Sequence, residues 1–169
     1  MCYNNQVIKA TLRLLRVKQY TKNSFIFVPL IFSQATLAGI VNNLPNSLIA
    51  FAAFCLISSS AYILNDLFDL EKDKLHPVKA KRPLARGELS VSFASGLMFL
   101  TLAAALSLSL LLSLALSFVI IAYLLNNLFY SFYLKQYALF DIFSLSLGFL
   151  LRVFAGAVLL KFLFLPIFF

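Results

Sequence analysis

Residues 89–134 read LSVSFASGLMFLTLAAALSLSLLLSLALSFVIIAYLLNNLFYSFYL, a run of 46 residues without one charged side chain. As a single helix this run would be about 69 Å long, roughly twice the hydrocarbon thickness of a bilayer. It must therefore fold back on itself as two membrane-crossing helices. No Gly or Pro marks the midpoint, and the hairpin is expected within residues 109–117. The rest of the chain agrees: 62% of its 169 residues are hydrophobic, 12% are charged, and the mean hydropathy is +0.95. Soluble domains are about half apolar and about a quarter charged, so a water-soluble fold is excluded. The expected class is all-α, a polytopic helical membrane protein with about five transmembrane helices.

Upstream, residues 25–41 and 48–64 are each long enough to cross, with the polar stretch 42–47 (NNLPNS) read as the turn between them. Downstream, residues 142–160 make a fifth span that contains Arg152, with Gly148 and Gly156 at four-residue steps on its stripe. Residues 162–169 are apolar but too short to cross. The first 24 residues are mixed: Lys9, Arg13 and Arg16 fall at i, i+4, i+7, a basic helical stripe suited to an anionic membrane surface. Residues 1–24 are thus expected to be a surface segment and 25–169 a transmembrane domain, with a functional loop at about 65–90.

The net charge of +8 is not a nucleic-acid signal, because the cations sit in short stretches between apolar runs. They precede the first span, lie between spans two and three, and recur at Lys135 between four and five. That asymmetry puts the N-terminus and the charged loops in the cytoplasm of a cell-membrane protein. Cys2 and Cys55 imply no disulfide framework, and no removable signal peptide is expected.

Four of the six acids fall in Asn65-Asp66-Leu67-Phe68-Asp69-Leu70-Glu71-Lys72-Asp73. At about 100° per residue, Asp66, Asp69 and Asp73 share one helical face while Glu71 points away. Stacked carboxylates suit a hard cation such as Mg²⁺, which takes one or two carboxylates plus phosphate oxygens and water. The basic loop His76-Pro77-Val78-Lys79-Ala80-Lys81-Arg82-Pro83 follows, its prolines barring a continued helix. Acids for a metal beside bases for phosphates, with Lys79 and Arg82 favoured for phosphate contact, fit a phosphorylated or diphosphorylated substrate. Lys72, Lys74 and Arg86 read as topology signals and His76 as a loop residue. Arg152, about 16 Å along the helix from Asp141, should face a polar cavity, against either an aspartate of the cluster or a bound phosphate.

At these residues the chain resembles the UbiA superfamily of intramembrane prenyltransferases. Asn65, Asp66, Asp69 and Asp73 match its first aspartate-rich motif, N-D-x-x-D-x-x-x-D. Within it the likeness is to the decaprenyl-phosphate and other polyprenyl-phosphate phosphoribosyltransferases. That narrower likeness rests on Leu15-Arg16-Val17-Lys18-Gln19-Tyr20-Thr21-Lys22-Asn23, on His76-Pro77-Val78-Lys79, and on Tyr130-Ser131-Phe132-Tyr133-Leu134-Lys135 with Asp141 and Gly148 to Gly156. It runs from about residue 11 to about residue 158.

The resemblance implies a membrane enzyme that transfers 5-phosphoribose from 5-phosphoribosyl 1-diphosphate to a polyprenyl phosphate, a cell-wall lipid precursor. Mg²⁺ would sit on Asp66, Asp69 and Asp73, with Asn65 in the catalytic set. Lys22, Asn23, Lys79, Arg82, Tyr130, Lys135 and Arg152 are the implied substrate-binding residues. Superfamily bundles have nine spans and a second aspartate-rich motif beyond the fifth, so the chain is expected to correspond to the N-terminal half of such a bundle. Two other readings stay open: prenyl transfer from a prenyl diphosphate to an aromatic or lipid acceptor, and a non-catalytic truncated membrane protein.

Overall fold

The computed structural model describes residues 2–33, 36–132 and 138–160, all of its regular structure helical. Helix α1 (Cys2–Leu14) ends where Arg16 takes a left-handed backbone, φ 54° and ψ 42°. A non-glycine residue pays about 1–2 kcal/mol for that conformation. A 3-10 connector, Val17–Phe27, follows and runs into the short α2 (Val28–Ser33). At three residues per turn, Tyr20, Asn23 and Ile26 share one side of the connector, and Asn23 and Ile26 are buried.

Among the described residues, four helices are long and apolar enough to cross a membrane: α3 (Leu37–Phe68), α5 (Val91–Leu112), α6 (Leu114–Phe132) and α7 (Ala138–Leu159). The short α4 (Leu70–Leu75) continues from α3 after a bend at Asp69. The chain is thus a multi-pass helical membrane protein, as composition requires.

Two expected boundaries are corrected. Residues 25–41 do not form one span: the connector and α2 occupy their first half, and Thr36 then caps α3 by accepting a bond from the Gly39 amide at 3.2 Å. Nor do residues 42–47 turn, since α3 passes through them with Pro45 inside it. The polar side chains are absorbed by the helix itself. Asn43 Nδ2 donates to the Gly39 carbonyl and Ser47 Oγ to the Asn43 carbonyl, both at 3.0 Å. The composition that favours a turn in water here back-bonds along the helix. At about 48 Å, α3 outreaches a bilayer core, so it tilts or projects beyond the hydrocarbon. The expected hairpin between α5 and α6 is present at Ser113, whose Oγ accepts from the Leu116 amide at 3.0 Å. Ser109 and Ser117 bond across it at 3.0 Å.

Packing is built on small side chains. The buried face of α5 is Ala94, Met98, Thr101, Ala105 and Ser109, repeating every three or four residues against α3. Ser60 Oγ of α3 reaches the Met98 carbonyl at 3.2 Å. One core gathers Ile26, Phe54, Ile57, Leu116, Ile120 and Tyr123 at mid-depth. A second, with Ala10, Leu14, Ile63, Leu84, Leu89 and Met98, fastens α1 and the basic loop to the ends of α3 and α5. That second core brings the left-handed Arg16 beside the aspartates.

Helix α7 lies against the connector at Gly156, where an added Cβ would sit 2.2 Å from the Ile26 carbonyl oxygen. Backbone cannot yield there, so Gly156→Ala is expected to cost about 1–3 kcal/mol through overpacking and to lower the melting temperature in detergent. At Gly148 the nearest atom to such a Cβ is 3.5 Å away, and Gly148→Ala should melt with wild type. Equal melting of the two variants would refute the close approach at Gly156.

Candidate active site

The end of α3 and the loop after it carry the aspartates, and two arginines meet them. Asp66 is buried and accepts from Arg16 Nη2 at 2.6 Å and from Arg82 Nη1 at 3.0 Å. The same Arg82 nitrogen bonds Asp73 at 2.6 Å. Arg16 also stacks over the Tyr62 ring, 4.5 Å from guanidinium carbon to centroid. These contacts offset the left-handed backbone at Arg16, since only that conformation turns the chain from α1 into the connector while leaving the guanidinium on Asp66.

Beside this cluster opens a cavity of about 350 Å³ between α3, α6, α7, the connector and the basic loop. Its wall includes Asn65 and Asp69 of α3 and its end, Lys22 of the connector, Lys79 and Arg82 of the loop, Tyr130 of α6 and Arg152 of α7. These seven residues, singled out from sequence, are brought together. Asp66 and Asp73 lie behind the wall on their arginines, and Asn23 is buried beneath it. Lys135, Lys161 and residues 162–169 fall outside the described residues. Glu71 points away and pairs with Lys74 at 2.6 Å, as the helical arithmetic requires. Among the described residues, no three His, Cys, Asp or Glu side chains converge closely enough to hold a metal. Two of the three aspartates face guanidinium groups instead.

Arg152 is buried and does not pair with an aspartate of the cluster. Its Nε donates to Asn23 Oδ1 at 2.7 Å, Nη1 to the Gly148 carbonyl at 2.7 Å and Nη2 to the Tyr123 hydroxyl at 2.8 Å. The guanidinium also lies over the Tyr123 ring at 4.8 Å. All of these acceptors are neutral, so the charge meets no carboxylate among the described residues. Asn23 is held in turn by Cys55 Sγ and Ser58 Oγ, each at 3.3 Å. Tyr20 bonds Ser59 Oγ at 2.8 Å, and burial pushes its hydroxyl above the ordinary tyrosine pKa although that bond pulls the other way. The connector is therefore pinned to α3 through a polar Ser58–Ser59 step.

Sequence reasoning missed Arg16, Tyr62, Tyr123, Asn126 and Asn127, all in the cavity wall. Arg16 was read as a surface anchor because its stripe assumes that α1 continues. The three-residue spacing of Tyr20, Asn23 and Ile26 is the signal that the helix changes type. Five cations, Arg16, Lys22, Lys79, Arg82 and Arg152, line the cavity with one carboxylate, Asp69, and even with Asp66 and Asp73 paired behind it the wall stays net positive. Such a wall attracts polyanions and holds them by charge-assisted hydrogen bonds.

The comparisons with known proteins bear on this arrangement. The chain is 37% identical over 156 residues to decaprenyl-phosphate phosphoribosyltransferase of Corynebacterium glutamicum, covering 87% of this chain and 45% of that one. It is 42% identical over 110 residues to the Mycolicibacterium smegmatis protein of the same name, covering 65% and 35%. Its fold is similar to a solved digeranylgeranylglyceryl phosphate synthase, with a TM-score of 0.77 at 22% identity over 90% of this chain and 53% of that one. A UbiA homologue from Archaeoglobus fulgidus, solved with GPP and Mg²⁺ bound, gives a TM-score of 0.69 at 21% identity, covering 89% and 53%. The chain thus spans about half the length of these structures, and less than half of the two curated relatives. The sequence profile of the UbiA prenyltransferase family matches residues 26–169. That match takes in the aspartate-bearing end of α3 and the cavity-wall residues from Ala61 to Arg152, and the chain belongs to the UbiA prenyltransferase family.

Proposed function

We propose that this chain carries the donor site of a Mg²⁺-dependent transferase that moves 5-phosphoribose from 5-phosphoribosyl 1-diphosphate to a polyprenyl phosphate in the membrane. The observation that carries the reading is the cavity's positive charge: five cations line it, against Asp69 in the wall and Asp66 and Asp73 behind it. They are also spread in depth. Arg152 bonds Asn23, which is level with Ser58 of α3, eleven residues or about 16 Å from Asp69. Two levels of cation suit two phosphorylated substrates. Arg16, Lys79 and Arg82 grip the diphosphate near Asp69, and Arg152 with Lys22 receives the second phosphate. The phosphoribosyltransferase names of the relatives support the same donor.

The oxygen donors facing the cavity, the Asp69 carboxylate and the Asn65 side chain, fit Mg²⁺, which completes its shell with phosphate oxygens and water. Asp66 and Asp73 would join that set only by releasing Arg16 and Arg82. The ion when bound would neutralise charge on the departing diphosphate. The protein itself positions and stabilises. The bond from the ribose anomeric carbon to the diphosphate oxygen breaks and its electron pair leaves with diphosphate. A phosphate oxygen of the lipid forms the new bond to that carbon. No protein nucleophile is required, and none lines the cavity among the described residues beyond hydroxyls and carboxylate.

Membranes containing the chain, offered radiolabelled 5-phosphoribosyl 1-diphosphate or labelled prenyl diphosphate with polyprenyl phosphate, test this directly. Label is expected in the lipid fraction from the ribosyl donor. Transfer from the prenyl donor alone would replace the reading with prenyl transfer. Transfer from neither, with no binding of the ribosyl donor, would leave a non-catalytic membrane protein.

The same proposal places α1 and the loop at about 65–90 in the cytoplasm, where the donor is dissolved. Lys9 and Arg13 of α1 and Arg86 of the loop line a shared basic groove, with Arg13 and Arg86 both paired to Glu88. The apolar Ile8 and Leu12 beside it are half exposed, which suits a segment at an anionic lipid surface. A cysteine substituted at Lys74 is expected to react with an impermeant thiol reagent in inverted vesicles and not in intact cells. Labelling in intact cells would reverse the orientation.

A further inference from the structure

Asp141 stands outside every role assigned so far. It lies in the first turn of α7, and its Oδ1 is buried with no hydrogen-bond partner. Leaving a buried acceptor unpaired costs about 1–3 kcal/mol, more for a charged group, so such an atom in a settled fold points to a missing ligand. Its position says where that ligand lies. Ser144, Leu145, Gly148 and Arg152 line the cavity from α7, and Asp141 precedes them by three, four, seven and eleven residues, the spacing of one helical face. The Tyr130 hydroxyl, whose residue lines the cavity, lies close enough to the Asp141 carboxylate to interact with it. The carboxylate therefore continues the face of the lining stripe one turn beyond Ser144, near the Tyr130 hydroxyl and with one buried oxygen unbonded.

We propose that Asp141, oriented by Tyr130, recognises the vicinal ring hydroxyls of the donor ribose and so selects a sugar diphosphate over a prenyl diphosphate. This rests on the phosphoribosyl reading of the cavity. An ionised carboxylate is acceptor-only and matches hydroxyl donors, which a prenyl chain lacks. A cation is the other natural partner of a lone carboxylate. Among the described residues Asp141 belongs to no group of three metal-ligating side chains, and a single unbonded acceptor oxygen matches a hydroxyl donor directly. Discrimination by such a site is large, because a ligand without the hydroxyls leaves the buried acceptor unpaired.

The test compares two probes on the purified chain in lipid nanodiscs: 5-phosphoribosyl 1-diphosphate, and inorganic diphosphate, which shares the anionic tail but has no ribose. Asp141→Ala is expected to weaken binding of the ribosyl donor by about tenfold or more and to leave diphosphate binding unchanged. Asp141→Asn, nearly isosteric and so the safer variant for folding, keeps one acceptor oxygen and should lose several-fold. Unchanged donor affinity in the Asn variant would overturn the proposal, as would parallel losses for donor and diphosphate, which mark a structural or purely electrostatic role. Wild-type chain that binds the ribosyl donor no better than diphosphate would overturn the ribosyl reading itself, and this assignment with it.

Discussion

Replacing Asp66 by Asn is expected to damage the fold as well as the chemistry, whereas replacing Asp69 by Asn is expected to act mainly on the chemistry. Asp66 is 3% exposed and balances two guanidinium groups at 2.6 and 3.0 Å. Its loss leaves Arg16 and Arg82 without the carboxylate they share. Breaking a fully buried pair costs about 3–5 kcal/mol. Here the arginine side chains keep 20% and 26% of their exposure, so a loss on the order of 2–3 kcal/mol is expected. Asp69 lines the cavity beside Asn65, and its Asn variant should melt above the Asp66 variant yet lose Mg²⁺-dependent donor binding. Glu71→Gln, at a side chain 82% exposed, should change neither quantity. Melting temperature and donor binding measured on all three variants separate the roles. Equal melting of the Asp66 and Asp69 variants would sink the view that Asp66 anchors the arginines.

The second large effect is expected at Arg152. Since its acceptors are the Asn23 amide oxygen, the Gly148 carbonyl and the Tyr123 hydroxyl, removing its charge strands no carboxylate. Arg152→Met should therefore insert and accumulate close to wild type. Its effect should fall on anion binding, where loss of a charge-assisted contact is worth about 1.5–3 kcal/mol, or about 10- to 150-fold in affinity. Arg152→Lys keeps the charge but gives up the planar fork that reaches three acceptors at once, and should recover only part of that loss. If the Met variant fails to accumulate while the Lys variant folds and binds normally, the cation serves the fold and the phosphate role is wrong.

Much of this architecture was readable one segment at a time. The uncharged run 89–134 demanded a hairpin, and Ser113 makes one, because the length of a helix against the thickness of a bilayer is a local sum. The spacing of Asp66, Asp69 and Asp73 located the mouth of the cavity for the same reason. Composition misled at residues 42–47. Asn and Ser signal a turn in water, but inside an apolar helix they donate to carbonyls four residues back, and only their surroundings decide between the two.

The partners of the charges were another matter. That Arg152 must meet something polar followed from its place in an apolar run, but its main partner, Asn23, lies 129 residues away in the chain. Arg16 looked like one more cation of a surface stripe until the left-handed turn brought it onto Asp66, 50 residues distant. Periodicity and hydropathy are sums over near neighbours and are carried by the chain wherever it goes. Which guanidinium neutralises which carboxylate depends on how α1, the connector, α3 and α7 pack, and a buried charge settles with whatever acceptor that packing leaves within about 3 Å.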